Sequence, residues 1–442
     1  MSINSSVFET LILESNNQKR TVDIVEGAVS IDYYEDIFSP TITAKIKVIN
    51  SSSSIAPEGA PAQEKQSIYN GLPLRGGERV VMKISGNSAT NPGLDFSKKP
   101  ADFFIVSSIT DIVSQTESES FTLHLISREA ITNETSRVSR KFSSSSTIDN
   151  SIKAILEEYL KTKKIGTIDK TSNSYGFIGN LKKPFTTLIW LASKAVPAES
   201  GANAGFFFYQ TKDGFQFRSI DSLINQEKKA TYTNNQGVES YDSDNKAVNN
   251  DFSILNYTTT KNENLIEKLR LGAFSSQRMF FDPNKFTFTG EQQGSFGQTQ
   301  YKKKTKTLGR KLDLPKISPG SDKTLGDIPS RIFTQILDVG TLEPKPSKET
   351  NSNPMEYQAQ SLMRYNTLFT QVLDVTIPSN TNLRAGDVIE CIFPKNTQAS
   401  TKESDPEISG LYIIKELCHH FDSDNSYTSL KLIRDTFGQK SK

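Results

Sequence analysis

The feature that most constrains the fold of this chain is an internal echo between its two ends. Near the front the sequence reads LRGGERVVMKI, Leu74 to Ile84, and near the back LRAGDVIECIF, Leu383 to Phe393. Leucine, arginine, a small residue, glycine and an acid recur in order, and each set leads into a strand-like run. Two more blocks follow in the same order at similar spacing. DFFIVSSITDI (Asp102–Ile112) matches GLYIIKELCHH (Gly410–His420) in apolar pattern, and SFTLHLISRE (Ser120–Glu129) matches YTSLKLIRD (Tyr427–Asp435) with one gap. In the last block Leu123, Leu125, Ile126, Arg128 and Glu129 align with Leu430, Leu432, Ile433, Arg434 and Asp435. A single block has little weight, because strand–turn–strand segments look alike by composition alone. Three in order favour a duplicated antiparallel β-domain with the intervening chain inserted.

The rest of the chain fits that outline. Period-two alternation in VFETLILES, TVDIVEGAVSIDYYE and TITAKIKVIN predicts strands, and Ser51–Gln66 reads as a surface loop. Beyond Ala130 the period changes. Ile148, Ile152, Ile155, Leu156, Tyr159 and Leu160 share one helical face, and Pro184 opens a second helix. GFFFYQTKDGFQFRSI predicts a hairpin turning at Lys212–Asp213–Gly214. The stretch from Thr135 to Leu223 is therefore a small α+β unit. Tyr232–Asp251 and Glu291–Lys323 are polar loops, and Pro354–Phe369 has the pattern of a short helix. The expected fold class is mainly β with an α+β insertion: two tandem antiparallel β-barrels related by internal duplication. Residues 1–134 form the first barrel, 135–250 the inserted α+β domain with its exposed loop, and 251–290 with 365–442 the second barrel. Residues 291–364 form an inserted polar and basic segment, peripheral or in contact with a partner. Three chains with two barrels each, in cyclic symmetry, would make a ring of near six-fold character, suited to joining a three-fold partner to a six-fold one.

Composition excludes several functions. A net charge of +2 over 442 residues gives no support to whole-surface nucleic-acid binding. No apolar run reaches the ~18 residues that span a bilayer, and MSINSSVFETLIL lacks the pattern of a secretory signal. Two cysteines in a chain of this length argue against a disulfide scaffold and suit a reducing cytoplasm. LCHHFDSD, Leu417 to Asp424, gathers metal-ligand types, yet alternation along a strand points Cys418 and His420 one way and His419 the other. It reads as a strand end followed by an Asp/Asn turn, with no metal. There is no G-x-S-x-G or H-E-x-x-H motif, and GLPLRGGERV lacks the Gly-Lys-Ser/Thr of a phosphate loop. Glu157 and Glu158 diverge by about 100° on a helix and read as a solvated face. The expectation is a non-enzyme with no cofactor. The basic run YKKKTKTLGRK supplies candidate partner contacts at Tyr301, Lys302, Lys303, Lys304 and Arg310, against the alternative of a solvated loop.

YYEDIFSPTIT, GLPLRGGERV, KPFTTLIWLASKAV, AGFFFYQTKDGFQFRSIDSL and SGLYIIKELCHHFDSDNSYTSLKLIRDTFG, in that order, resemble the baseplate hub proteins of contractile-tailed phages of the T-even type, in particular the marine cyanophage branch. The hub portion of type VI secretion spike proteins is also similar. The resemblance covers about Val7 to Gly438 and is weakest over Glu291–Asn353. It implies a homotrimer whose barrels are tail-tube-like, making a pseudo-six-fold torus between the hexameric tail tube and the trimeric central spike, which often bears a lysozyme domain. Tube-initiator proteins are the alternative partner on the tube side, and a tape-measure protein is a further candidate partner. DNA passes through the channel only in transit, and no stable membrane association is implied. The location implied is the virion's tail baseplate, assembled in the host cytoplasm. The resemblance also aligns the turns at Leu74–Glu78 and Leu383–Asp387, whose arginines are candidates to cap local carbonyls. The rival reading is a carbohydrate-binding or hydrolytic tail protein acting on the host envelope, with the aromatics of GFFFYQTKDGFQF as a platform. A hub of a cellular contractile injection machine differs only in origin.

Overall fold

The structure is a computed structural model that describes residues 2–51, 54–56, 64–98, 103–199, 203–234, 250–261, 264–283, 285–288, 294–297, 300–301, 306–311, 313–337, 354, 357–395 and 404–438. The front of the chain supplies β1 (Val7–Glu14), β2 (Thr21–Asp23), β3 (Ala28–Asp36), β4 (Thr43–Ser51), β5 (Arg79–Ser85), β6 (Gly93–Phe96), β7 (Phe104–Ser114) and β8 (Ser118–Ser127), with helix α1 (Ile68–Gly71) before β5. Alternation drives these strands. Burial switches at every residue along β8, and Ile31, Tyr33 and Glu35 of β3 all point inward.

The middle unit follows. It holds α2 (Arg128–Thr135), β9 (Lys141–Phe142), α3 (Ile148–Glu158), β10 (Ile165–Ile168), β11 (Phe177–Ile178), α4 (Pro184–Ala192), β12 (Phe206–Thr211), β13 (Gly214–Ser219) and α5 (Ile220–Asn225). Ile148, Ile152, Ile155 and Leu156 of α3 are fully buried, and α4 starts at Pro184 as its sequence predicts. The β12–β13 hairpin turns where expected and pairs Phe208 with Phe217.

The back of the chain supplies β14 (Ala230–Thr233), β15 (Asn256–Lys261), α6 (Leu265–Leu271), β16 (Ser276–Asp282), β17 (Thr287–Phe288), β18 (Ser295–Phe296), β19 (Arg331–Ile336), α7 (Gln358–Thr367), β20 (Gln371–Pro378), β21 (Val388–Ile392), β22 (Gly410–Asp422) and β23 (Ser426–Arg434). The repeat reappears as strand order. The front half runs β3-β4-β8-β7-β5 and the back half β15-β20-β23-β22-β21, with every neighbouring pair antiparallel.

The structure does not confirm two closed barrels. Among the described residues neither half closes on itself, and both belong to one 14-stranded sheet. The cause is the length of β22. Its first residues pair with β21, Cys391 with Gly410 through Val388 with Ile413. Beyond a bulge between Ile414 and Glu416 it outruns β21, and β3 takes over that edge, Asp36 opposite Glu416 through Ser30 opposite Asp422. Backbone groups left open by one half are thus satisfied by the other. Strand pairing also crosses the expected boundaries. β14, assigned by sequence to the insertion, pairs parallel with β21. β16, assigned to the second barrel, instead forms a four-stranded sheet with β17, β18 and β19, two of which come from the 291–364 segment. Of the predicted loops, 57–63, 235–249 and parts of 291–312 lie outside the described residues. Among the described residues no helix is long and apolar enough to cross a membrane.

Candidate functional site

The two repeated turns have one geometry. In the front copy the amides of Arg75 and Gly76 donate to the Glu78 carboxylate at 2.8 and 2.9 Å, and in the back copy the Arg384 amide donates to Asp387 at 2.9 Å. Gly77 and Gly386 both take left-handed backbone, φ +92° and +91°, which is why glycine recurs there. Each glycine amide then bonds the partner strand, Gly77 to Val106 at 2.7 Å and Gly386 to Ile414 at 2.8 Å. Val106 and Ile414 return bonds of 2.9 Å to the carbonyls of Glu78 and Asp387. Arg384 does cap carbonyls, those of Thr381 and Leu383, at 2.7 and 2.8 Å. Arg75 points into solvent.

The back turn lies at a joint of three parts. Buried Glu35, from the front half, accepts from the Tyr33 hydroxyl (2.8 Å), the Lys212 amide of the inserted hairpin (2.7 Å) and the Ala385 amide of the back turn (2.9 Å). Arg384 reaches Asp213 of the same hairpin at 3.0 Å. Burial pushes the Glu35 carboxyl above its usual range, and the charge of Arg384 opposes that shift. Tyr209 lies directly under Gly386, where an added Cβ would come within 2.3 Å of its hydroxyl. Sequence reasoning did not single out Glu35. The signal was present as an acid on the inward side of the Ile31–Tyr33–Glu35 alternation.

LCHHFDSD occupies the seam between the halves, at the end of β22 and the start of the turn into β23. His419 points into the core, stacked 6.1 Å from Tyr33 and 2.9 Å from the Thr428 hydroxyl. Burial, with help from Arg384, lowers it to about 3, so it is a neutral imidazole. Cys418 and His420 face the opposite way, towards Asp32 of β3. His420 Nδ1 lies 2.5 Å from Asp32 and its Nε2 lies 3.2 Å from Asp422. The Asp32 contact raises the His420 pKa, while burial pushes the Cys418 thiol up to about 12. The alternation expected of a strand holds, and its polar residues serve the seam.

A second joint lies deeper. Arg364 of α7 is buried and pairs with Asp221 of α5 at 2.7 Å and with Asp435, just past β23, at 3.7 Å. Its Nη1 also donates to the Lys306 carbonyl at 3.2 Å, and the Leu308 amide donates to Asp435 at 3.0 Å. The basic run is therefore partly stitched into the fold. Tyr301 is only 3% exposed and packs with Phe296, Ala359 and Met363, so its ring serves this core and is not presented to a partner. Arg310 stays half exposed, bonds Glu407 and bridges its backbone to Phe437. Lys302, Lys303 and Lys304 lie outside the described residues. Glu157 and Glu158 are exposed, Glu158 meeting Arg140 at 2.6 Å.

No known family's sequence profile matches the chain. It is 23% identical over 305 residues to the protein named probable baseplate hub protein of Vibrio phage KVP40, a match spanning 65% of this chain and 66% of that protein's length. Among solved structures, a tail protein from Neisseria meningitidis superposes with a TM-score of 0.51 at 10% identity, covering 96% of each chain. The 43 kDa tail protein of prophage MuSo2 from Shewanella oneidensis gives 0.52 at 9% identity, covering 97% of this chain and 98% of that one. The chain shares the fold of these tail proteins. Its sequence likeness to a baseplate hub protein agrees with the resemblance stated from its motifs.

Proposed function

We propose that the chain is a structural subunit of a contractile phage tail's baseplate hub, located in the virion and assembled in the host cytoplasm. The observation that carries this reading is the sequence match to a baseplate hub protein in a chain that superposes end to end on tail proteins. The repeated strand order supports the rest of it. Three copies form a pseudo-six-fold ring that accepts the hexameric tube, or its initiator proteins, on one side and the trimeric spike on the other. A tape-measure protein is a further candidate partner, and DNA only passes through. The subunit is not an enzyme and needs no cofactor. Its relatives are named as tail and baseplate proteins, and its most conspicuous polar residues hold joints between parts of the chain. The envelope-binding alternative loses its aromatic platform. Phe206, Phe207, Phe208, Tyr209, Phe215 and Phe217 are each at most 5% exposed and form core.

Electron-microscopy class averaging of the purified chain, alone and with its candidate spike protein, tests the reading. A ring with a central channel, three-fold in detail and six-fold in outline, is expected. Particles that remain monomeric with the spike present would overturn the ring.

A further inference from the structure

Between the inserted α+β unit and the small sheet of β16, β17, β18 and β19 lies an open cavity of about 610 Å³, within the ~300–1,000 Å³ usual for small-ligand sites. Three parts of the chain meet around it. Tyr175 and Lys194 come from the insertion, Arg278 and Phe280 from one face of β16, and Tyr357 and Tyr365 from α7 and its N-cap. The aromatic walls belong to packed structure, since Tyr175, Phe280 and Tyr357 are each at most 4% exposed.

The charge of this cavity is one-sided. Lys194 and Arg278 both line it, and among the described residues no acidic side chain does. Arg278 is half-buried. Its Nε is enclosed without a hydrogen-bond partner, and among the described residues its guanidinium enters no ion pair. It rests on the Phe333 ring, 4.3 Å from the centroid, and Arg331 lies 4.6 Å from the same ring. Burial, with the like charge of Arg331, pulls the Arg278 pKa below its ordinary value. Cations taken out of water are normally paired, so an arginine held this way beside a cavity leaves a place for an anion. The first turn of α7 adds to this, because Tyr357 supplies no side-chain cap and no acid occupies that turn.

We propose that the cavity binds a carboxylate carried on an aromatic or branched apolar body. The carboxylate sits on Arg278 and Lys194, and the body lies against Phe280, Tyr357 and Leu362. The planar fork of a guanidinium matches the two oxygens of a carboxylate, and apolar walls add affinity only for a ligand that has an apolar part. Free small acids carry such a group, and so does the end of a peptide whose last residue is apolar. Both present the same chemistry to the cavity. The site lies within one chain, so the inference does not depend on the proposed ring.

The test uses the full chain and its single tryptophan. The Trp190 ring lies 5.4 Å from that of Tyr175 and 5.1 Å from the Lys194 Nζ, so filling the cavity should change its fluorescence. Two probes are titrated: phenylacetate for a free acid, and acetyl-Gly-Gly-Phe with its free carboxylate for a chain end. A saturable change is expected, and the probe that saturates at the lower concentration identifies the source. Phenylacetamide, the neutral counterpart, should give no saturation, and Arg278→Gln should raise the midpoint about ten-fold or more. No saturation with either acid would overturn the site. Equal saturation by phenylacetamide would overturn recognition of the charge, and that comparison needs no variant. An unchanged midpoint in Arg278→Gln, with thermal unfolding like that of wild type, would overturn the role of Arg278.

Discussion

The front and back halves share five strands in one order, yet they use their repeated turn differently. In the front half Leu74–Glu78 is self-contained. Beyond the amides of its own turn Glu78 accepts from the Asn16 side chain at 3.1 Å, and the nearest atom to a Cβ on Gly77 would be in that flexible side chain, at 2.7 Å. In the back half the same turn is clamped by Glu35 from the front half and by the inserted hairpin, and Tyr209 fills the space beside Gly386. One local device occurs twice. The insertion turned one copy into a structural joint and left the other at the periphery. The same asymmetry governs the edges: past its bulge β22 is covered by β3, and among the described residues no strand pairs with the outer edge of β7 beyond Ile105.

The largest expected effect lies in the joint deep in the back half. Arg364→Leu leaves Asp221 and Asp435 buried without their cation, and removing one partner of a buried pair costs roughly 3–5 kcal/mol. Denaturant unfolding measures it, and a loss below ~1 kcal/mol would show that the insertion is not anchored there. Next comes Glu35→Ala, which strands three donors and should cost about 3 kcal/mol. It should also expose the hairpin around Lys212 to limited proteolysis, whereas Glu78→Ala, a loss confined to its own turn, should leave the hairpin protected.

The glycines test the comparison most directly. Alanine at Gly77 or Gly386 meets the same backbone penalty, about 1–2 kcal/mol. Gly386→Ala must in addition displace Tyr209, so its midpoint should fall further than that of Gly77→Ala, and equal losses would remove the distinction drawn between the turns. The smallest effect, taken per pH unit, is a pH slope. His419 is held near 3, below its unfolded value near 6.5, so the unfolded chain binds the extra proton between those limits. Stability from this group is complete above about pH 6.5 and is lost as pH falls towards 3, with a slope of at most ~1.4 kcal/mol per pH unit. His420, raised by Asp32, acts in the opposite sense, its contribution fading as pH rises through its folded pKa. The difference between wild type and His419→Gln across pH 4–7 isolates the first term, and parallel curves would contradict it.

Much of this was legible from local patterns. Alternation located the strands, helical spacing located α3, Pro184 located α4, and the paired LRGGE and LRAGD blocks announced two equivalent turns. The site was less legible. Tyr301 looked like an exposed aromatic in a basic run, because a run's charge says nothing about which side chain finds a pocket, here the one made by Phe296, Ala359 and Met363. Glu35 could have been read from its inward phase in β3, but its donors come from Lys212 and Ala385, far along the chain.

What the sequence determined by itself was local and periodic: which residues turn, which face inward, and that the pattern occurs twice. Only the tertiary structure decided that the two copies share one sheet. A strand's alternation specifies its faces and leaves its edges unspecified, since the backbone groups along an edge are the same whatever the side chains. That β3 covers β22, and that among the described residues the far end of β7 has no partner on its outer edge, was set by strand lengths and bulges in three dimensions.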